Sequence, residues 1–269
     1  MYPADGTISA HVTLDSLRGL LFITNYGGGS FTVFKLNSED GAIIKKPLYY
    51  EKFEGGSQVD KERQEGPHPH GTHLFMCYAY VVDLGCDKIY HYKVSSREVN
   101  RASPKETMME GGSGPRHLAI DEKRNRAYVL SELVMHVTSY EIDETSGALR
   151  KLQNIIYDVP FMNPKTRQYG SEILVHSNGY LYISHRGDGA LIVFKISNES
   201  RECLMQVQAI PSGGSWPRHF AITEDGKYLL AADQFKNIVC VFMINQATGM
   251  LEKGEEIPCD NSPAMIAFL

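Results

Sequence analysis

Short runs that alternate apolar and polar residues recur along the chain, separated by turns rich in Gly, Asn, Asp and Ser. Runs such as "AYVLSE", "VTSYEI", "YLLAAD" and "VCVFMI" are short and carry the β-branched and aromatic bias of strands. No stretch sustains the 3.6-residue period of an amphipathic helix. The pattern predicts an all-β chain.

The runs are organised by a repeat. "GPRHLAID" at 114–121 and "WPRHFAIT" at 216–223 are near copies. Their arginines, Arg116 and Arg218, stand apart by about two lengths of the ~40–50-residue propeller blade. A further copy at 170–196 fills the interval, and two more lie upstream at 9–36 and 67–94. Each copy holds three strand runs and then a polar turn. Three of those turns place Gly before an apolar residue ("EDGAI", "TSGAL", "ATGML"), where a fourth strand is expected to begin. Four short strands per unit predict a single β-propeller domain over residues 1–269. Its blades are expected at 8–55, 66–108, 114–158, 169–210 and 216–258, with a final inner strand at 262–269.

In antiparallel neighbours, the start of one strand and the end of the next share an edge of the sheet. That pairs Ala10 with Tyr26, His70 with Leu84, Arg116 with Glu132, Ser171 with Arg186, and Arg218 with Gln234. First strands surround the channel of a propeller, so these residues are expected to ring one end of it. The ring would carry His70, Arg116, Glu132, Arg186 and Arg218, with Tyr26 and Gln234 among the rest. Converging arginines favour an anion, because guanidinium binds carboxylate or phosphate bidentately and stays charged. A histidine and a glutamate beside them can exchange protons. The plainer alternative has each arginine pair with a carboxylate and close a blade top.

Composition narrows the partners. The chain of 269 residues is 42% hydrophobic and 22% charged, enough to bury a sizeable core. A net charge of −5 argues against a general nucleic-acid or anionic-membrane binder. No basic stretch followed by an apolar run opens the sequence, and the longest apolar run, "LFMCYAYVV", is far short of a membrane span. Five cysteines without a Cys-x-x-Cys pair point to reduced thiols and a cytoplasmic protein.

Other signals are weaker. "NYGGGS" at 25–30 precedes a strand, so a glycine turn is expected there rather than a phosphate cradle. "HPHGTH" supplies His68, His70 and His73 with no local carboxylate, and no metal or other cofactor is expected. His117 and His219 are expected to pack between blades, Trp216 to wall a loop, and the polar loop at 51–66 to be mobile.

The ordered set "NYGGGS", "RQEGPHPH", "DLGCDKIY", "GPRHLAI", "SEL", "SEI", "HRG" and "WPRHFAI" resembles the lactonase family of seven-bladed propellers. That family includes propeller-type 6-phosphogluconolactonases and carboxy-muconate lactonizing enzymes. The resemblance runs over nearly the whole chain. It implies a metal-free site of one His, two Arg and one Glu. By motif these fall on His70 (with His68 as the fallback), Arg116, Arg186 and Glu132. Ser131 and His185 replace the family's usual Asn before Glu132 and Arg186. Family members carry about two further blades before the segment that resembles "SAHVTLD", which here starts at residue 9. An N-terminally incomplete, open array is therefore expected, whose exposed first blade offers a site for oligomerisation.

The function implied is hydrolysis of a small anionic sugar lactone, 6-phospho-D-glucono-1,5-lactone first among them. His70, Arg116, Glu132 and Arg186 would be catalytic; Arg218, His68, Tyr26 and Gln234 would bind substrate. A muconate-type lactonizing cycloisomerase makes the same demand for arginines. A propeller that serves only as an interaction scaffold is the third reading.

Overall fold

The computed structural model describes residues 6–199 and 202–268. Its regular elements are all strands, twenty of them among the described residues, in five four-stranded sheets. The first sheet holds β1 (Ser9–Asp15), β2 (Leu20–Asn25), β3 (Ser30–Lys35) and β4 (Tyr49–Lys52). The second holds β5 (Pro69–Phe75), β6 (Tyr78–Asp83), β7 (Lys88–Val94) and β8 (Val99–Met108). β9 (Pro115–Asp121), β10 (Arg126–Ser131), β11 (His136–Ile142) and β12 (Leu149–Ile156) make the third. β13 (Tyr169–His176), β14 (Tyr180–Arg186), β15 (Ala190–Ile196) and β16 (Leu204–Pro211) make the fourth. The fifth is β17 (Pro217–Ile222), β18 (Tyr228–Asp233), β19 (Ile238–Ile244) and β20 (Leu251–Pro258). In every sheet consecutive strands are neighbours, as in the meandering sheets of propeller blades.

The turns explain why the meander repeats. Between the third and fourth strands of the third and fifth sheets, a side-chain oxygen caps the turn's amides. Asp143 Oδ1 accepts from the N–H of Thr145 and Ser146, and Asn245 Oδ1 accepts from the N–H of Ala247 and Thr248. These Asx turns offer the backbone local partners and end the strand. Buried tyrosines then use the same turns as latches. Tyr80 Oη donates to Gly147 O (2.9 Å), and Tyr182 Oη donates to Gly249 O (2.8 Å). The "NYGGGS" segment is the expected turn, joining β2 to β3 with Gly29 at φ +58°.

The chain divides into two compact units. One is Met1–Ala127 with Glu141–Arg150; the other is Tyr128–Tyr140 with Lys151–Leu269. In the first, Leu20, Phe22, Phe31 and Val33 of the first sheet pack on Ala79, Val81, Tyr90 and Tyr92 of the second. In the second, Tyr182, Leu191 and Val193 pack on Phe220, Leu229, Ala231, Cys240 and Phe242. β6 and β14 are buried on both faces, whereas β1 leaves Val12 and Leu14 exposed.

The structure departs from the sequence reading in two places. The inner strand expected at 262–269 is not formed over 262–268, and Leu269 lies outside the described residues. Strand propensity forms a strand only where a backbone ladder receives it. Here the Ile266 amide donates instead to a side chain, His219 Nδ1 (3.2 Å). The polar loop at 51–66 is pinned rather than loose. Phe53 and Gln64 are buried, and Gln64 Nε2 donates to Leu84 O (2.9 Å).

All five cysteines are free thiols. No helix among the described residues is long and apolar enough to cross a membrane.

Candidate active site

The first strands carry a shared irregularity at the edge where the candidate residues sit. In β1, Ser9 pairs with Asn25 and His11 with Thr24, so Ala10 is an extra residue. In β5, Pro69 pairs with Asp83 and Gly71 with Val82, which singles out His70. In β17, Pro217 pairs with Asp233 and His219 with Ala232, which singles out Arg218. In β13 the shift falls between Gly170 and Ile173, at Ser171 and Glu172. A bulge leaves one residue out of the ladder and re-aims its side chain. His70 and Arg218 are placed in this way.

In the first unit the candidate residues are mainly rings. Tyr26 stacks on His68 (centroids 4.4 Å apart, 17° between planes) and meets His70 edge-on at 5.7 Å. His70 meets His117 edge-on at 5.0 Å, and His117 lies 5.2 Å from His11. Both nitrogens of His68 face acceptors, Tyr26 O at 3.0 Å and Glu65 Oε1 at 2.9 Å. That makes His68 a support for Tyr26. Arg63 Nη2 donates to Tyr26 Oη at 3.2 Å from the pinned loop.

His70 and Arg116 are both buried. Gly71 lets the backbones of β5 and β9 approach, since a Cβ there would lie 2.8 Å from His73 Nε2 and 3.4 Å from Arg116 O. His73 Nε2 accepts from the Leu118 amide (3.1 Å), so this ring is neutral with its proton on Nδ1. Burial holds its pKa well below the usual histidine value, and the neighbouring His11 adds to the effect.

In the second unit the site is built around charge. Arg186 closes β14 and Glu132 directly follows β10. Both are 4% exposed, and Arg186 Nη2 stands 2.9 Å from Glu132 Oε2. The same nitrogen donates to Gly170 O at 2.8 Å, while the Gly170 amide donates to Glu132 O at 3.1 Å. The guanidinium lies 5.5 Å from the Tyr169 ring centre and 5.3 Å from that of Trp216.

His185 occupies the place where an Asn was expected. Its Nε2 donates to Gln168 Oε1 (2.7 Å), and its Nδ1 accepts from Tyr157 Oη (3.0 Å). Burial and then the Arg186 charge push its pKa down to about 4. His185 is thus a neutral brace beneath Arg186. Ser131, the other replacement, keeps its buried hydroxyl without a hydrogen-bond partner.

Arg218 is half-buried, and its carbonyl accepts from Ser171 Oγ at 2.6 Å. Gln234 enters through its backbone, its N–H donating to Trp216 O at 3.0 Å. His219 faces Glu172 at 3.6 Å.

Two kinds of residue were missed from sequence. The first is the carboxylate that closes the second strand. Asp83 Oδ1 accepts from the amides of His68, Gly85 and Cys86, and Asp233 accepts from the amides of Trp216 and Lys236. The repeated Asp immediately before Leu84 and Gln234 was the available signal. The second is Phe235, which stacks on Trp216 at 4.9 Å. Among the described residues no group of three or more His, Cys, Asp or Glu is arranged to hold a metal.

Residues 2–268 match the family described as "Lactonase, 7-bladed beta-propeller". A 6-phosphogluconolactonase of Bacillus subtilis is 31% identical over 250 residues, spanning 92% of this chain and 69% of that protein. A 6-phosphogluconolactonase of Formosa agariphila is 29% identical, spanning 100% of this chain and 76% of its own. Among solved structures, the periplasmic gluconolactonase of Pseudomonas aeruginosa superposes with a TM-score of 0.86 at 25% identity, over 96% of this chain and 72% of that one.

Proposed function

Because the chain belongs to the lactonase family of seven-bladed β-propellers, we propose that it hydrolyses a small anionic sugar lactone, with 6-phospho-D-glucono-1,5-lactone as its substrate. The relatives named 6-phosphogluconolactonase support that choice of substrate. The observation that carries the chemistry is the Glu132–Arg186 pair. Taking both charges out of water is expensive, and such a pair is weak as a source of stability. A buried carboxylate and guanidinium at strand ends, flanked by aromatic rings, are better accounted for as working groups.

Lactone hydrolysis needs three things: a held anion, an acceptor for the proton of the attacking water, and positive charge where the carbonyl oxygen becomes an oxyanion. Arg186 is assigned the charge, since a fixed cation in a dry setting stabilises developing negative charge at no reorganisation cost. Glu132 is assigned the proton acceptor. Water adds to the lactone carbonyl as its proton passes to the Glu132 carboxylate, and the ring C–O bond then breaks as Glu132 returns that proton to the leaving oxygen. The family resemblance adds His70 and Arg116 to the candidate residues, and we assign His70 as a second proton carrier and Arg116 as a ligand for the anion. Arg218, Tyr26 and Gln234 are assigned to substrate binding, with His68 holding Tyr26. The five free thiols fit a reducing compartment, and we place the protein in the cytoplasm.

A pH-stat assay of the purified protein on freshly made 6-phosphogluconolactone tests the reading. Acid release above the buffer rate is expected, with a muconate left unchanged. Release at the buffer rate together with muconate turnover would replace the hydrolase with a cycloisomerase.

A further inference from the structure

Phe235 is 63% exposed yet not loose. One of its faces lies against Trp216, with ring centres 4.9 Å apart and 27° between planes. The turn that carries it is fastened on both sides. Buried Asp233 accepts from the Trp216 amide (Oδ2, 2.6 Å) and from the Lys236 amide (Oδ1, 2.8 Å). The Gln234 amide donates back to Trp216 O at 3.0 Å. Lys236 Nζ adds contacts to Gly213 O (2.8 Å) and Glu256 Oε2 (2.9 Å). A phenylalanine at a turn tip gains little from burial when it is mostly exposed. Here a buried carboxylate is used to hold such a ring in one orientation.

What the ring adjoins indicates its purpose. Trp216, which backs Phe235, also lies 5.3 Å from the Arg186 guanidinium and 5.8 Å from Tyr169. A continuous row therefore runs from buried Glu132 through Arg186 and Trp216 to an exposed aromatic face. The row suits a ligand that has an anionic or carbonyl group at one place and an apolar ring face beside it. A glucose-type ring has such a face, since the axial C–H bonds of alternate carbons project together on each side of it.

We infer that Phe235, backed by Trp216 and fastened by Asp233, is a stacking platform for the C–H face of the sugar ring, and so a specificity-determining residue of this site. The inference rests on the sugar-lactone reading for its substrate class. It assigns Asp233 as a positioning residue, which sets the platform without touching the ligand.

Trp216 is the one tryptophan of the chain, so intrinsic fluorescence reports on this row. The probe is glucose 6-phosphate, which has the ring and the phosphate but no lactone bond to break. Titration is expected to give a saturable change in Trp216 emission, and inorganic phosphate alone a binding curve at least several-fold weaker. Phe235→Ala should weaken glucose 6-phosphate by about three- to tenfold, as loss of one ring stack does. Phe235→Tyr should restore it. In turnover the Phe235→Ala loss should fall on KM more than on kcat. Unchanged thermal midpoints would show that the variants fold.

The two readings fail separately. Lactone hydrolysis with the same KM and the same glucose 6-phosphate affinity in Phe235→Ala would overturn the platform and leave the hydrolase standing. Binding that weakens in Phe235→Ala, in a protein that leaves the lactone at its buffer rate, would uphold the platform and remove the hydrolase. No fluorescence response to either probe, with KM unmoved, also overturns the platform.

Discussion

The two candidate clusters occupy equivalent places in their repeats and are made of different materials. In the first unit, Tyr26, His68, His70, His73 and His117 are rings in contact, held by backbone carbonyls and amides. In the second unit the ends of β10 and β14, which match the place of Tyr26 after β2, carry a buried ion pair, Glu132 with Arg186, between aromatic side chains. The lesson is that the repeat sets the place and the bulge, while the chemistry at each place is chosen residue by residue. A cluster of packed rings tolerates loss of a member by local repacking. A buried ion pair does not, because its survivor is left charged and dry.

The sharpest break of that comparison is Arg186→Met. It strands Glu132 and should cost about 3–5 kcal/mol in urea unfolding. His70→Asn in the first unit should cost about 1 kcal/mol, within the ordinary range for a substitution. Equal losses would erase the distinction between the two clusters.

Next in size is a pH effect. The folded pKa of His185 is about 4, below the ~6.5 of an unfolded imidazole. Between those values the unfolded chain binds a proton that the folded one refuses, so stability falls as pH is lowered from ~6.5 to ~4 and levels off below. The contribution is on the order of 3 kcal/mol, and His185→Gln should flatten that part of the profile. His91 in the first unit, also held near 4 by burial and then by Arg101, should add a similar slope. Unfolding midpoints at several pH values in His185→Gln and His91→Gln would separate the two.

The closeness of backbones gives a third contrast. A Cβ at Gly170 would lie 2.2 Å from Ser131 O, a backbone atom, whereas at Gly71 the nearest atom is the His73 side chain at 2.8 Å. Gly170→Ala should therefore cost about 2–3 kcal/mol and Gly71→Ala about 1 kcal/mol, since only the latter contact can move. A larger loss at Gly71 would mean that the ring cluster is the stiffer of the two.

Much of this architecture was legible in the sequence because strands announce themselves locally. Short β-branched and aromatic runs such as "AYVLSE" and "YLLAAD", with Gly-containing polar turns ahead of Leu149 and Leu251, need no knowledge of distant partners. Spacing alone also brought out Arg116, Glu132, Arg186 and Arg218 as strand-end residues.

Other features depend on pairs. A bulge at His70 or Arg218 is a mismatch between two strands and is written in neither. Phe235 reads as a turn residue until Asp233 is seen fastening it to Trp216. The segment 262–268 is apolar enough for a strand but takes its Ile266 hydrogen bond from His219 instead of a ladder. The sequence reading also set anion binding against simple Arg–carboxylate pairing, and Arg186 does bind a carboxylate, that of Glu132.

The smallest expected effect concerns Ser131, whose buried hydroxyl lacks a partner. Ser131→Ala removes a polar atom that earns no hydrogen bond, so the unfolding midpoint should stay within about 0.5 kcal/mol or rise slightly. A loss above 1.5 kcal/mol would show that the hydroxyl is in fact bonded.

The central claim is that the Glu132–Arg186 pair is kept for chemistry. It is tested most directly by the rate of 6-phosphogluconolactone hydrolysis in Glu132→Gln against the unaltered protein, with urea unfolding run beside it. Glutamine keeps the shape and an acceptor oxygen for Arg186 but cannot take the proton. The account predicts kcat/KM lower by at least ~100-fold, the scale of a lost general base, with the protein still folded. Hydrolysis by Glu132→Gln at the unaltered rate would contradict it.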